Sequence, residues 1–187
     1  MPNVFDELKS FLGNPEEGKE LTETSTQLIK DVFPSDLSEF IIENGLKSYR
    51  RGFFYLVDPS EYYDVLEDWY EDNETKHVFL KTGFGSLFYL DSSDSIFYRL
   101  DISTGTTAKA GKTTNSAIGI GVMSDLSLKN ILWYDYYNKF IEETGNVMRA
   151  ECLSFVPSLL LGGTVEDSDV RRVKLKEYSS IQAQLAQ

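Results

Sequence analysis

The chain reads as an α+β protein. The pattern predicts an antiparallel sheet meander flanked by helices, then a mainly helical C-terminal subdomain with a short strand ended by proline and glycine. Three observations predict this. Helical apolar spacing with clear stop signals fills the first 45 positions; aromatic strand-like runs separated by turn residues follow, up to Ile102; helical spacing then returns from Asn115.

The elements follow in order. Val4, Phe5, Leu8, Phe11 and Leu12 fall on one helical face, which the Gly13–Gly18 stretch breaks. A second helix is expected from about Thr22 to Asp31, carrying Leu28 and Ile29. Pro34-Ser35 opens a third, with Ser35 as N-cap, a stripe of Leu37, Phe40 and Ile41, and Gly45 as its stop. Gly52 to Val57 is continuous and aromatic, as in a strand. Asp58-Pro59-Ser60-Glu61 is a helix start, with an acceptor at the cap and proline at the first helical position. That helix is expected to run to Tyr70, burying Tyr62, Val65, Leu66 and Trp69.

Strands are predicted at His77–Thr82, Ser86–Leu90 and Ile96–Ile102, joined by hairpin-like separators and with the helices on one face. Residues 105–114 turn small and polar, which marks them as a seam between residues 1–104 and 115–187. Beyond it, Ile131, Leu132, Tyr134, Tyr137, Phe140 and Ile141 recur at helical spacing, and Gly145 ends the run. Glu151–Leu161 reads as a strand carrying Pro157, which suits a sheet edge or an interruption. Gly162-Gly163 closes it, and a last helix is expected through Val173, Leu175, Ile181 and Leu185.

Composition narrows the function. With 41% hydrophobic and 13% aromatic residues in 187, a sizeable core is assured, and no window reaches the length of a membrane span. The acidic N-terminus has no apolar signal core, and the single Cys152 sits in an apolar run as a small hydrophobe, so a reducing cytoplasm is expected. Thirty acidic against 18 basic residues give a net charge of −12. That balance disfavours direct binding to nucleic acid and to anionic membranes, which needs Lys and Arg, and favours a cationic protein partner.

Catalytic patterns do not assemble. Gly111-Lys112-Thr113 resembles the end of a phosphate loop, but the required earlier glycine is displaced by Thr106. Gly119-Ile120-Gly121 is followed by Ser124 in place of the third glycine of a dinucleotide fingerprint. His77, the one histidine, reads as a hydrogen-bonded sheet residue, and His/Cys metal sites lack ligands. No enzyme activity, cofactor or metal is expected.

Two stretches carry a resemblance. Glu151-Cys-Leu-Ser-Phe-Val-Pro-Ser-Leu-Leu-Leu-Gly-Gly163, with the tail from Val173 to Leu185, resembles the C-terminal domain (DUF1851) of the Tdi-type immunity proteins of bacterial type VI secretion. Upstream, Leu37–Tyr49, Gly52–Tyr62 and Val78–Phe88 resemble the GAD-like domain that usually precedes it. This chain has Lys81-Thr-Gly-Phe-Gly-Ser-Leu87 where that family usually has Arg-Thr-Ala-Phe-Gly-Asp-Leu, so Ser86 replaces an acid; Ala150 replaces another. The resemblance implies an immunity protein that neutralises a cognate toxic effector, a DNase in the Tdi group, through its basic substrate surface.

Candidate toxin-binding residues are the acidic cluster Glu67, Asp68, Glu71, Asp72 and Glu74, and the aromatic run Trp133, Tyr134, Asp135, Tyr136 and Tyr137. The alternative is a small-ligand regulator or remnant enzyme. Its pocket would lie between the subdomains, rimmed by Gly83, Phe84, Gly85, Ser86, Pro157, Gly162 and Gly163.

Overall fold

The computed structural model of the protein describes residues 3–187. Helix α1 (Val4–Leu12) buries Phe5, Leu8 and Leu12, and its first turn is capped by the Asn3 side chain. A two-residue edge strand β1 (Gly18–Lys19) leads to α2 (Glu23–Val32), whose N-cap Thr22 accepts from the Ser25 amide. Helix α3 (Ser35–Asn44) follows, with Pro34 rather than Ser35 at the cap position and no side-chain cap. The sheet continues with β2 (Leu46–Tyr49), β3 (Phe54–Leu56), β4 (Lys76–Thr82), β5 (Leu87–Asp91), β6 (Ile96–Asp101) and β7 (Thr106–Gly111). These seven strands lie in sequence order, every neighbour antiparallel.

Several expectations change. The helix from Pro59 is a short 3-10 turn followed by α4 (Tyr63–Glu67), and it ends well before Tyr70. The polar stretch taken as a seam is strand β7, paired with β6 from Asp101↔Thr106 to Phe97↔Gly111. Its small residues fit an exposed edge as well as a linker. A three-residue turn α5 (Thr114–Ser116) then runs into a π-helical turn over Ala117–Val122, α6 (Asp125–Asn130) and α7 (Tyr134–Thr144). Strand β8 (Glu151–Val156) stops at a cis Val156–Pro157 bond. It pairs with β9 (Asp169–Lys174), so Val173 belongs to a strand and not to the last helix, α8 (Leu175–Ala186).

Helices cover both faces of the sheet, not one. Phe88 and its face pack with residues of α1, α2, α3, the π-helical turn, α6 and α7. Leu87, Tyr89 and Leu100 point the other way and pack with Val65 and Leu66 of α4 and with Leu175 and Tyr178 of α8. The two halves also share a core. Phe84, at the tip of the β4–β5 hairpin, stacks on Phe155 at 5.0 Å and meets Trp133 edge-on at 5.5 Å.

Candidate protein-binding surface

The acidic cluster lies where the chain leaves α4 and returns to the sheet through a 3-10 turn, Asn73–Thr75. Glu67, Asp68, Glu71, Asp72 and Glu74 are all exposed. At the base of this ridge the buried Lys76 ammonium reaches Asp72 at 2.8 Å and Asp91 at 3.1 Å. Asp91 is desolvated, yet hydrogen bonds from Ser93 and Lys76 hold its carboxyl down at about 2. Lys76 thus neutralises Asp72 and Asp91 only. Among the described residues no cation lies within 4.0 Å of Glu67, Asp68, Glu71 or Glu74.

Beside the ridge stand two half-buried tyrosines that the sequence reading missed. The Tyr70 hydroxyl bonds Thr107 Oγ1 at 2.6 Å and accepts from Tyr89 at 3.1 Å. Tyr98 stacks on Tyr89 with centroids 5.6 Å apart, and its hydroxyl donates to Asp94 at 2.8 Å. Tyr89 and Tyr98 are cross-strand partners. Alternation along β6 was the available signal, since it puts Tyr98 on the face opposite Phe97.

The aromatic run divides between core and surface. Trp133 and Tyr137 are buried, so neither is available to a partner. Tyr137 is enclosed by Phe53, and its hydroxyl donates to the Arg51 carbonyl at 2.7 Å. Asp135 is exposed, while Tyr134 and Tyr136 are partly buried against the core. Helices α4 and α7 pack against different core clusters, so the structure does not join the two candidate stretches into one patch.

The proposed pocket rim is closed. A Cβ on Gly83 would lie 2.3 Å from the Tyr137 ring, and one on Gly85 3.2 Å from Leu175. Phe84 is fully buried, and Ser86 is buried with its Oγ unpartnered. The hairpin tip fills the space between the halves. Pro157, Gly162 and Gly163 form a separate surface turn, tied by the Gly163 amide to the Ser158 carbonyl at 3.0 Å.

A clasp that the sequence reading also missed holds the halves together. Lys81 Nζ donates to the carbonyls of Arg149 at 2.8 Å and Glu151 at 2.6 Å, and lies 4.4 Å from the centre of the Tyr55 ring. Burial pushes its pKa down to about 7; as ammonium or amine it still donates. Tyr55 donates to the Val147 carbonyl, and Arg149 reaches back to the carbonyls of Leu46 and Leu56. The signal was a lysine inside the apolar run Val78-Phe-Leu-Lys-Thr82, facing no obvious partner.

Other sites resolve as structure. His77 is buried, with Nδ1 3.1 Å from the Tyr63 hydroxyl, and desolvation lowers its pKa. Thr113 and Ser116 close a capping box, so the backbone after Gly111 makes no phosphate cradle.

Comparison with known proteins agrees with this architecture. No helix among the described residues is long and apolar enough to cross a membrane. The crystal structure of Atu4351 from Agrobacterium tumefaciens is similar, with a TM-score of 0.77 at 19% identity, covering 96% of this chain and 88% of that one. At that identity the likeness shows a shared fold. No curated protein matches the chain. The model of the GAD-like domain matches residues 3–103, more than half of the 187-residue chain, and the protein therefore belongs to the GAD-like domain family.

Proposed function

We propose that the protein is an immunity protein that binds and neutralises a cognate type VI secretion toxin in the cytoplasm of the cell that makes both. The observation that carries this reading is the ridge from Glu67 to Glu74, with four carboxylates free of ion pairs among the described residues, beside Tyr70 and Tyr98, on a chain of net charge −12. Unpaired carboxylates lose little on meeting a basic surface, and half-buried tyrosines anchor contacts at low entropy cost. The toxin class is a DNase, whose substrate-binding surface is basic by necessity. The protein acts by occlusion, without chemistry of its own and without contacting nucleic acid.

The test is growth of cells expressing the toxic domain encoded beside this gene, with and without the protein. Rescue, with a co-purifying complex that the Glu67→Lys/Glu71→Lys variant fails to form, is the expected result. Killing unaffected by the wild-type chain would remove that toxin as the target.

A second reading, a small-ligand regulator, keeps one observation in its favour. A hollow of about 520 Å3 opens at the junction, lined by Glu61, Tyr62, Arg149 and the Lys174–Glu177 turn. Reproducible thermal stabilisation by a metabolite, lost in Arg149→Ala, would favour it.

A further inference from the structure

A smaller hollow lies on the other side of the sheet, under the π-helical turn. Phe88, Arg99 and Ala108 share one face of β5, β6 and β7, because Phe88 pairs with Arg99 and Arg99 with Ala108. The turn crosses close above them: a Cβ on Gly121 would sit 3.3 Å from Ala110 Cβ and 3.4 Å from Phe88 Cε1. Ile120 and Leu126, 70% and 67% exposed, stand at the mouth. The hollow measures about 180 Å3 and is partly open to solvent. Turns of this helix type occur preferentially at functional sites.

The polar groups in this wall are few and nearly all satisfied. Ser124 donates to the Ile120 carbonyl and Ser127 to the Gly121 carbonyl. Lys109 also lines the hollow, but it pairs with Tyr98, so its side chain belongs to the opposite face. Arg99 is different: its Nε is buried and makes no hydrogen bond, and among the described residues no carboxylate lies within 4.0 Å. Asp101, two residues along the strand, accepts instead from the amides of Ser103 and Thr104. Arg99 is half-buried, and one desolvated nitrogen without an acceptor is unfavourable; the guanidinium fork suits one planar carboxylate.

We propose that this hollow binds a small organic carboxylate with a short apolar body, its carboxylate on Arg99 and its hydrocarbon against Ala110, Ile120 and Leu126. The volume is below that of pockets for drug-sized ligands. Apolar walls and a single cation favour such a monoanion over a strongly hydrated phosphate.

The test is an amide NMR titration of the whole protein with isovalerate, with isopentanol and inorganic phosphate as comparators. Saturable shifts at Ala110, Ile120, Gly121 and Leu126 are expected, with a dissociation constant on the order of 1 mM or tighter. Arg99→Gln should weaken binding at least about tenfold. Ile120→Glu, at an exposed site that does not threaten folding, should weaken it through repulsion at the mouth. No saturable shift by about 50 mM overturns the proposal. So does phosphate or isopentanol binding as tightly, or isovalerate binding unchanged in a folded Arg99→Gln or in Ile120→Glu.

Discussion

Two buried charges show how single side chains set the balance of this fold. Lys81 occupies a wholly buried site where two close carbonyls and the face of Tyr55 receive its head group. Lys81→Ala strands those acceptors without water. It should lower stability by at least about 3 kcal/mol, read as a shift of the urea midpoint at constant slope. Asp101 works in the opposite sense. Burial raises its carboxyl to about 6 from an ordinary 3.8, only partly offset by Arg99 and the Ser103 and Thr104 amides. The folded chain therefore holds this proton more tightly than the unfolded chain, and its stabilising effect, complete below about pH 4, is lost as pH rises through 6. Asp101→Asn should gain on the order of 2–3 kcal/mol at pH 7.5. Melting temperatures should separate the variant from the parent at that pH and converge near pH 4.

Among the elements, the β4–β5 hairpin tip has the largest structural consequence. Phe84 is pinned between Phe155 and Trp133, so Phe84→Ala should cost about 3–5 kcal/mol by denaturant titration, as for other buried aromatics. Wherever local rules dominate, the elements were legible from sequence: α1 from its stripe, α2 from Thr22, the β4–β6 meander from aromatic runs and turn residues. They failed where partners decide. Thr106–Gly111 is strand because β6 offers an open edge, and Val173 is strand because Cys152 faces it. Leu46–Tyr49 was hidden because a four-residue strand lacks a period of its own. The acidic ridge was legible because exposed carboxylates need no tertiary context. Trp133 and Tyr137 were misplaced because adjacent aromatics do not reveal which rings face inward, and the Lys81 clasp joins residues about seventy positions apart in sequence.

At the scale of the molecule, the shared core argues for one cooperative unit. Calorimetry should show a single transition whose calorimetric and van't Hoff enthalpies agree. Two resolved transitions would instead mean that residues 1–104 fold independently. The net charge of −12 sets a second expectation, for kinetics. Association with the proposed basic partner should slow by about tenfold or more between 50 and 500 mM salt, with dissociation changing far less, as stopped-flow measurements would resolve. The hairpin tip also imposes an order on biosynthesis. Phe84 leaves the ribosome long before Phe155, its stacking partner, so the nascent sheet carries an uncovered aromatic for roughly 4–14 s at ordinary elongation rates. During that interval the growing chain is open to proteases and to mispairing. A closed core therefore arrives only once Phe155 has emerged, in about the last fifth of translation, and a message truncated before that point would leave Phe84 uncovered for good.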